Sequence, residues 1–468
     1  MIRSLGNWTY QADERLGRGG YADVFACRGA DAGGSAADGA LKVFRDPSYA
    51  NTLEREVSAL ESLRGCPHTP QLLDYGRDID GRLCIVTSRE FGEPLDHKLR
   101  NSGAVSETAV AEIIRQLLQT LEFAHARGWL HKDLKASNLL VTNRGVTLLD
   151  WGVAEPLSNG RCFSIRSRNQ DAVAPECYFG RHGLASDFYQ LGLLAWHLLA
   201  GVMPYHLATE VRRDYRVAAH CLERPILPDH LDARLRRLLG AWLDKDPARR
   251  LIGYDLDRLI DHVSAGSEPT AGGWDFLALS SEGYIAASAR AGVPYAMHEM
   301  GKRADGSGEQ RIDMEWFEKA AGSGFASSQC RLAEMLGDTG GAPDSQRRIM
   351  QLLREAADSG MPRAQYKLAQ RLRRVGGDSD ELRFWLLAAA RNGVAQAQYR
   401  LGRDLEKDKA DPVAIVEWFG HAADRGYGKA QLRLATYLER GRGVARNPAA
   451  AQVWRARSEQ GKRSQNVA

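Results

Sequence analysis

Hydrophobic residues in this chain recur with three different periods, and each period predicts a different kind of element. Leu53, Val57, Leu60 and Leu63 are spaced for one face of a helix. Apolar residues at 110, 113, 114, 117, 118 and 121 repeat that spacing over a longer segment, with Ser106 as its cap and Gly128 near its end. Trp8–Leu16 and Val24–Cys27 read instead as two strands around Gly17-Arg18-Gly19-Gly20-Tyr21-Ala22, and short apolar runs bounded by turn residues predict strands at Leu83–Thr87, Leu139–Val141 and Val146–Leu149. The last two are joined by Thr142-Asn143-Arg144-Gly145, so they predict a β-hairpin that returns the chain to its starting point. The nearest approach to a membrane span, Leu191–Tyr205, is interrupted by His197 and reads as a buried helix. It falls short of the roughly 20 apolar residues a span requires.

The third period is far longer. Gly292, Gly324, Gly360, Gly393 and Gly426 stand 32 to 36 residues apart. Four residues after each comes a small residue (Ala296, Ser328, Ala364, Ala397, Ala430), and four further on a large apolar one (Met300, Leu332, Leu368, Leu401, Leu434). Trp316, Trp385 and Trp418 sit eight before their glycines. The pattern predicts paired helices: glycine ends the first, the small residue lets the second pack close, and the large residue and tryptophans fill the shared core. Such units must stack to bury their faces. They resemble Sel1-like repeats, relatives of the tetratricopeptide repeat, which implies a concave surface for a protein or peptide partner.

Composition sets the class. A chain of 468 residues is expected to hold two or three domains, and 44% hydrophobic with 26% charged residues is the make-up of a soluble globular protein. A net charge of +4 over this length argues against a nucleic-acid binder. The seven cysteines are scattered and odd in number, which fits reduced thiols better than a disulfide framework. The first residues, Met-Ile-Arg-Ser-Leu-Gly-Asn-Trp, lack a signal peptide's apolar core. The expectation is a cytoplasmic protein without a membrane span.

Candidate chemistry concentrates at 130–152. Asp133, Lys135 and Asn138 share one loop, and the predicted hairpin brings Asp150 back beside it. Carboxylate, amide and second carboxylate on one wall can hold Mg²⁺ against phosphates and receive a hydroxyl proton. Upstream, Gly17, Gly19 and Gly20 lie between two predicted strands, where glycine lets backbone approach a phosphate. Alone, such a turn is weak evidence. Lys42 follows in Ala40-Leu41-Lys42-Val43-Phe44, flanked by apolar residues.

In this order the segments resemble eukaryotic-type (Hanks-type) Ser/Thr protein kinases of bacteria. His131-Lys132-Asp133 and Asp150-Trp151-Gly152 stand for the family's His-Arg-Asp and Asp-Phe-Gly. The resemblance implies ATP and Mg²⁺ as cofactors. Leu16, Gly17, Arg18, Gly19, Gly20, Val24 and Ala40 would line the nucleotide site, with Thr87 as gatekeeper and Ser88–Glu90 beside adenine. Lys42 would hold the α- and β-phosphates and pair with Glu56, for which Glu54 is the rival. Asp133 would orient or accept the substrate proton, Lys135 would neutralise the transferring phosphoryl group, and Asn138 and Asp150 would bind the metal. Asp187 would brace the catalytic loop, and Arg250 would pair with Glu176 of Ala174-Pro175-Glu176. Ser158, Ser164 and Ser167, in a loop over 153–173 with Arg161, Arg166 and Arg168, would be candidate phosphorylation sites read by Lys132 or the arginines.

The sequence departs from the family at Ala22, where a third glycine is usual and where alanine should stiffen the tip of the loop. It departs also at Lys132, Asn169 and Ala172, which bear on loop activation and substrate docking. The expected architecture is an α+β bilobal protein-kinase fold over 1–265, a linker over 266–274, and an all-α helical-repeat solenoid over 275–465. The expected function is phosphoryl transfer to Ser or Thr of a protein substrate, with the repeats recruiting a substrate or regulator. The alternatives are a nucleotide-binding pseudokinase scaffold and a kinase for a small acceptor.

Overall fold

The computed structural model describes residues 2–30, 36–46, 49–157, 172–203, 205, 213–223, 231–264, 281–305, 310–338 and 343–465. The first part is a curled antiparallel sheet of β1 (Ile2–Leu5), β2 (Trp8–Arg18), β3 (Ala22–Ala30), β4 (Ala36–Phe44), β5 (Leu72–Arg77) and β6 (Leu83–Ser88). The strand order is β1-β2-β3-β4-β6-β5, and helix α1 (Ala50–Ser62) is inserted between β4 and β5. Alternation along β4 sorts its side chains. Leu41 and Val43 are buried with Trp8, Tyr10, Phe25 and Val86 on one face, which leaves Ala40 and Lys42 on the other.

The second lobe begins with β7 (Gly92–Pro94), α2 (Leu95–Ser102), α3 (Glu107–Ala126) and β8 (Trp129–Leu130). It continues through β9 (Leu139–Thr142), β10 (Gly145–Leu148), β11 (Glu155–Pro156), α4 (Leu184–Ala200), α5 (Arg213–Cys221), α6 (Ala233–Trp242) and α7 (Leu256–Ser264). Ser106 caps α3 as its position predicts, its Oγ accepting from the Ala109 amide. The apolar run Leu191–Tyr205 differs from its reading as one helix. Gly201, at φ +71°, ends α4 after Ala200, and the helix starts earlier, at Leu184. Glu176 and Arg250 meet as predicted, in a buried bidentate pair of 2.7 and 2.8 Å, and Ser186 Oγ donates to the same carboxylate.

From Ser281 the described chain is helical. The pairs are α8 (Ser281–Arg290) with α9 (Pro294–Asp305), α10 (Gln310–Gly322) with α11 (Ala326–Asp338), and α12 (Pro343–Asp358) with α13 (Pro362–Val375). They continue as α14 (Ser379–Arg391) with α15 (Ala395–Lys407), and α16 (Pro412–Asp424) with α17 (Gly428–Arg440), and α18 (Pro448–Gln465) closes the array. The five repeat glycines all sit between paired helices at φ of +76° to +87°, a region costly for side chains. The five small residues that follow them are fully buried. The tryptophans differ from expectation. Trp316, Trp385 and Trp418 lie at the margins of the core, while their neighbours Phe317, Leu386 and Phe419 point inward. One residue along a helix turns the side chain by about 100°, and only one of two adjacent large apolar side chains can face the partner helix.

A further repeat unit went unread. Gln329, Gln365, Gln398 and Gln431, each next to its buried small residue, donate from Nε2 to carbonyls of Ala321, Ala357, Ala390 and Ala423 at 3.0–3.4 Å. Each ties the second helix to the end of the first. The residues assigned to a linker, 266–274, lie outside the described residues. On either side of them the two parts share one core. Ile285, Val293 and Tyr295 pack with Tyr178, Val217 and Tyr205 of the second lobe.

The Glu176–Arg250 pair yields the first prediction. Arg250→Ala leaves a buried carboxylate without its partner, so it lowers stability by about 3–5 kcal/mol. Chemical denaturation of the full chain against wild type measures this loss.

Candidate active site

The site is built where α3 ends. Its chain passes through β8 into a loop and a single 3-10 turn, Ala136–Asn138, then into the β9–β10 hairpin, whose register pairs Leu139 with Leu148 and Thr142 with Gly145. Thr142 Oγ1 closes the two-residue turn, donating to Gly145 O and accepting from the Arg144 amide. The Leu149 amide then bonds Asn138 O at 2.8 Å, which sets Asp150 beside the loop. The predicted hairpin therefore does what its spacing implied.

Asp133 is buried, and its Oδ2 accepts from Lys135 Nζ at 2.6 Å and from Asn138 Nδ2 at 3.0 Å. Across the cleft, Lys42 Nζ contacts both Glu56 carboxylate oxygens at 2.7–2.8 Å and Asp150 Oδ1 at 2.7 Å. Strand, helix and hairpin thus each contribute one charge to a single cluster. Glu56 rather than Glu54 is the partner, because two residues along a helix reverse the direction of a side chain.

Asp187 braces the loop from below. Its carboxylate accepts from the backbone amides of His131 and Lys132 and lies against His125 Nε2, all at 2.9 Å. Lys132 and Asp150 adopt left-handed φ of +66° and +59°, uncommon for residues other than glycine, and this network holds the first of them in place. Gln190 adds a brace that sequence reasoning missed. It accepts from the Leu134 amide and donates to the carbonyls of Lys132 and Ala172.

Register places Gly17, Val24, Ala40 and Thr87 on the sheet face that carries Lys42: Val24 pairs with Lys42, Gly17 with Val24, and Ala40 with Thr87. Arg18 pairs with Asp23, which is opposite Val43, so register puts it on the other face, and Gly20 lies in the turn outside the ladder. Leu16 is exposed beside Gly17. Gly17 has open space where a Cβ would point, and at Gly19 the nearest atom lies 3.4 Å off. Neither has positive φ, so these glycines supply room rather than unusual backbone. Ala22 departs from its expected place at the tip. It is a buried β3 residue opposite Phe44, so its methyl packs in the core and does not stiffen the turn from outside. Arg45, unnoticed in the sequence, laces the turn by donating to Gly19 O and to the Asp23 carboxylate.

At the connector, the Ser88 amide is bonded to Gln71 O at 2.8 Å and the Arg89 amide to Asp38 O at 3.4 Å, which narrows what Ser88–Glu90 offers a base. Lys132 Nζ donates to Glu155 Oε2 at 2.6 Å rather than standing apart for a phosphate. Ser158, Ser164, Ser167, Arg161, Arg166, Arg168 and Asn169 lie outside the described residues, while Ala172 is buried.

Residues 10–262, more than half of the chain, match the protein kinase domain family. The chain belongs to the protein kinase family. It is 29% identical over 271 residues to the serine/threonine-protein kinase drp72 of Corynebacterium efficiens, covering 54% of this chain and 50% of that protein. It is 26% identical over 264 residues to CBL-interacting protein kinase 11 of Oryza sativa, covering 53% and 50%. With the rice calcium/calmodulin-dependent serine/threonine-protein kinase 1 the figures are 27% over 255 residues, 52% and 42%. The chain spans about half the length of the curated relatives it matches. Among the described residues, no helix is long and apolar enough to cross a membrane.

Electrostatics of the kinase cleft follow from its crowding. Burial opposes the charge on Lys42, and Asp150 and Glu56 more than offset it, so the ammonium titrates above the ordinary lysine range. Burial pushes the Glu56 carboxyl up to about 6, against the pull of Lys42 and with added repulsion from Asp150. Asp150 lies between the lobes with 44% of its side chain open. Enclosure opposes its charge, and Lys42 holds the carboxyl down to about 2. His131, buried against Trp151, is shifted toward its neutral form by burial, with Asp187 pulling the other way.

A sign follows for Glu56. Its folded pKa lies above the unfolded 4.5, so the folded state binds the proton more tightly. Stability linked to that proton is full below 4.5 and is lost as pH rises to about 6. At ~1.4 kcal/mol per pKa unit this amounts to ~2 kcal/mol. Urea unfolding of wild type and Glu56→Gln at pH 4.5 and 7 checks it: the wild type loses that much relative to the variant on going to pH 7.

Proposed function

We propose that this protein is an ATP- and Mg²⁺-dependent serine/threonine protein kinase whose Sel1-like repeats recruit a protein substrate or regulator. The observation that supports it best is the convergence of Lys42, Glu56 and Asp150 opposite Asp133, Lys135 and Asn138. Mg²⁺ would neutralise charge building on the β- and γ-phosphates. Asp150 is ionised at neutral pH, and Asn138 has its NH₂ committed to Asp133, which leaves its amide oxygen as a donor to a cation. One carboxylate and one amide oxygen, completed by phosphates, suit this hard ion.

Leu16, Gly17, Arg18, Gly19, Gly20, Val24, Ala40 and Thr87 would enclose the nucleotide, and the space in front of Gly17 and Gly19 lets backbone approach its phosphates. Lys42, held by Glu56, would orient the α- and β-phosphates. Asp133 would accept a hydrogen bond from the Ser or Thr hydroxyl and take its proton as the oxygen attacks the γ-phosphorus and the bond from that phosphorus to the β–γ bridging oxygen breaks, ADP leaving. Lys135, 2.6 Å from Asp133, would offset the negative charge shared between them. On the repeats, a groove of about 570 Å³ between α11, α13 and α15 is edged by Arg331, Lys367, Arg371, Arg374 and Arg400, with Glu334 paired to Arg331 and Lys367 and Asp404 to Arg400, which leaves an excess of cations. Its charge supports recruitment of an acidic segment of the partner.

Intact-mass spectrometry after incubation with Mg-ATP tests the reading. Wild type is expected to gain mass in single-phosphate steps that map to Ser or Thr. Asp133→Asn should slow this by roughly 10²–10⁴, with ATP affinity within a few-fold, and Asp150→Asn should abolish transfer together with the Mg²⁺ dependence of ATP binding. ATP binding without transfer in wild type would instead support the scaffold reading.

A further inference from the structure

The repeats touch both lobes, in two different ways. Their first helices share an apolar core with the second lobe, where Tyr295 meets Tyr178 edge-on at 5.3 Å. The array then returns to the first lobe and meets α1 and β5 through polar groups. Arg425, at the end of α16, is 4% exposed. Its Nε donates to Asn51 Oδ1 at 2.6 Å and its Nη2 to Glu54 Oε2 at 2.9 Å. His421 Nδ1 lies 3.4 Å from Glu54 Oε1, and Asp424 pairs with Arg77 of β5. Asn51 Nδ2 donates to Gly393 O at 3.3 Å, and a Cβ on Gly393 would collide with the Asn51 carboxamide. Between these points the two parts enclose a cleft of about 670 Å³, so this seam is held by a few polar contacts rather than by a continuous apolar face.

Glu54 and Glu56 point to opposite sides of α1, one to the repeats and one to Lys42. Resting on the kinase reading above, we propose that the repeat region is a built-in brace for α1, with Arg425 as a positioning residue. By gripping Asn51 and Glu54 from a base fused to the second lobe, it sets where Glu56 meets Lys42 and Asp150. The brace is charged on both sides: burial opposes ionisation of Glu54, but His421 and Arg425 hold its carboxyl below the ordinary range. A shift of α1 by one ångström would move Glu56 off Lys42, a displacement that costs on the order of 10²-fold in transfer rate.

The test uses the full chain in four forms: wild type, Arg425→Glu, Glu54→Arg, and the double exchange. Amide hydrogen exchange over residues 53–62 and phosphotransfer kinetics are measured on each. Either single reversal is expected to speed exchange in α1 at least ten-fold and to lower kcat at least ten-fold, with KM for ATP changed less than three-fold. The double exchange restores both toward wild type. Exchange in α1 within two-fold of wild type for both single variants overturns the brace. Glu54→Gln, at a side chain 41% exposed, gives the same comparison if Arg425→Glu does not fold. The exchange readout needs no turnover, so a wild type that transfers no phosphate would defeat the kinase reading while the brace is still decided.

Discussion

One ammonium group holds the cleft together. Lys42 Nζ stands between carboxylates from α1 and from the end of the β9–β10 hairpin, so three segments far apart in the chain must agree in position for its charge to be balanced. Without the lysine, Glu56 and Asp150 would face each other across a partly dry space, where like charges repel strongly. Register in β4, the rotation of α1 and the return of the hairpin are therefore coupled through a single point. The repulsion is visible even with the cation present, because Asp150 helps to raise the Glu56 carboxyl.

Rigidity on the opposite wall has a different source. The loop bearing Asp133 includes Lys132 in a left-handed conformation that a side chain resists. Asp187 and Gln190, both on α4, satisfy the amides and carbonyls that this conformation turns inward. Their helix is in turn anchored through Ser186, Glu176 and Arg250. Buried polar groups of this kind specify one arrangement because each alternative leaves a donor or acceptor without a partner. The loop is held by the large lobe, and the lysine by the small one.

Much of this was legible because it is local or periodic. The hairpin follows from two apolar runs and a turn, the choice of Glu56 from helical geometry and the family's pattern, and the helix pairs from evenly spaced glycines. What escaped has neither property. Arg45 reaches Gly19 and Asp23 across the sheet, and Gln190 acts through its amide on a loop far from it in sequence. Four glutamines do recur at a constant place, but their polarity disguised them as surface. The tryptophans misled in the opposite sense. Their size suggested the centre of the core, whereas helical rotation gave that place to Phe317, Leu386 and Phe419.

The seam between α1 and α16 joins Glu54 to a residue 371 positions later. Contacts of such separation form late, since the intervening chain must first be ordered. During synthesis at about 5–20 residues per second, Arg425 is made roughly 20–75 s after Glu54. The two lobes of the kinase domain have ample time to fold before the helices that span them exist. A chain released before residue 425 would carry every residue of the cleft and lack this contact, so the polar seam exists only once the helices that carry it have been made.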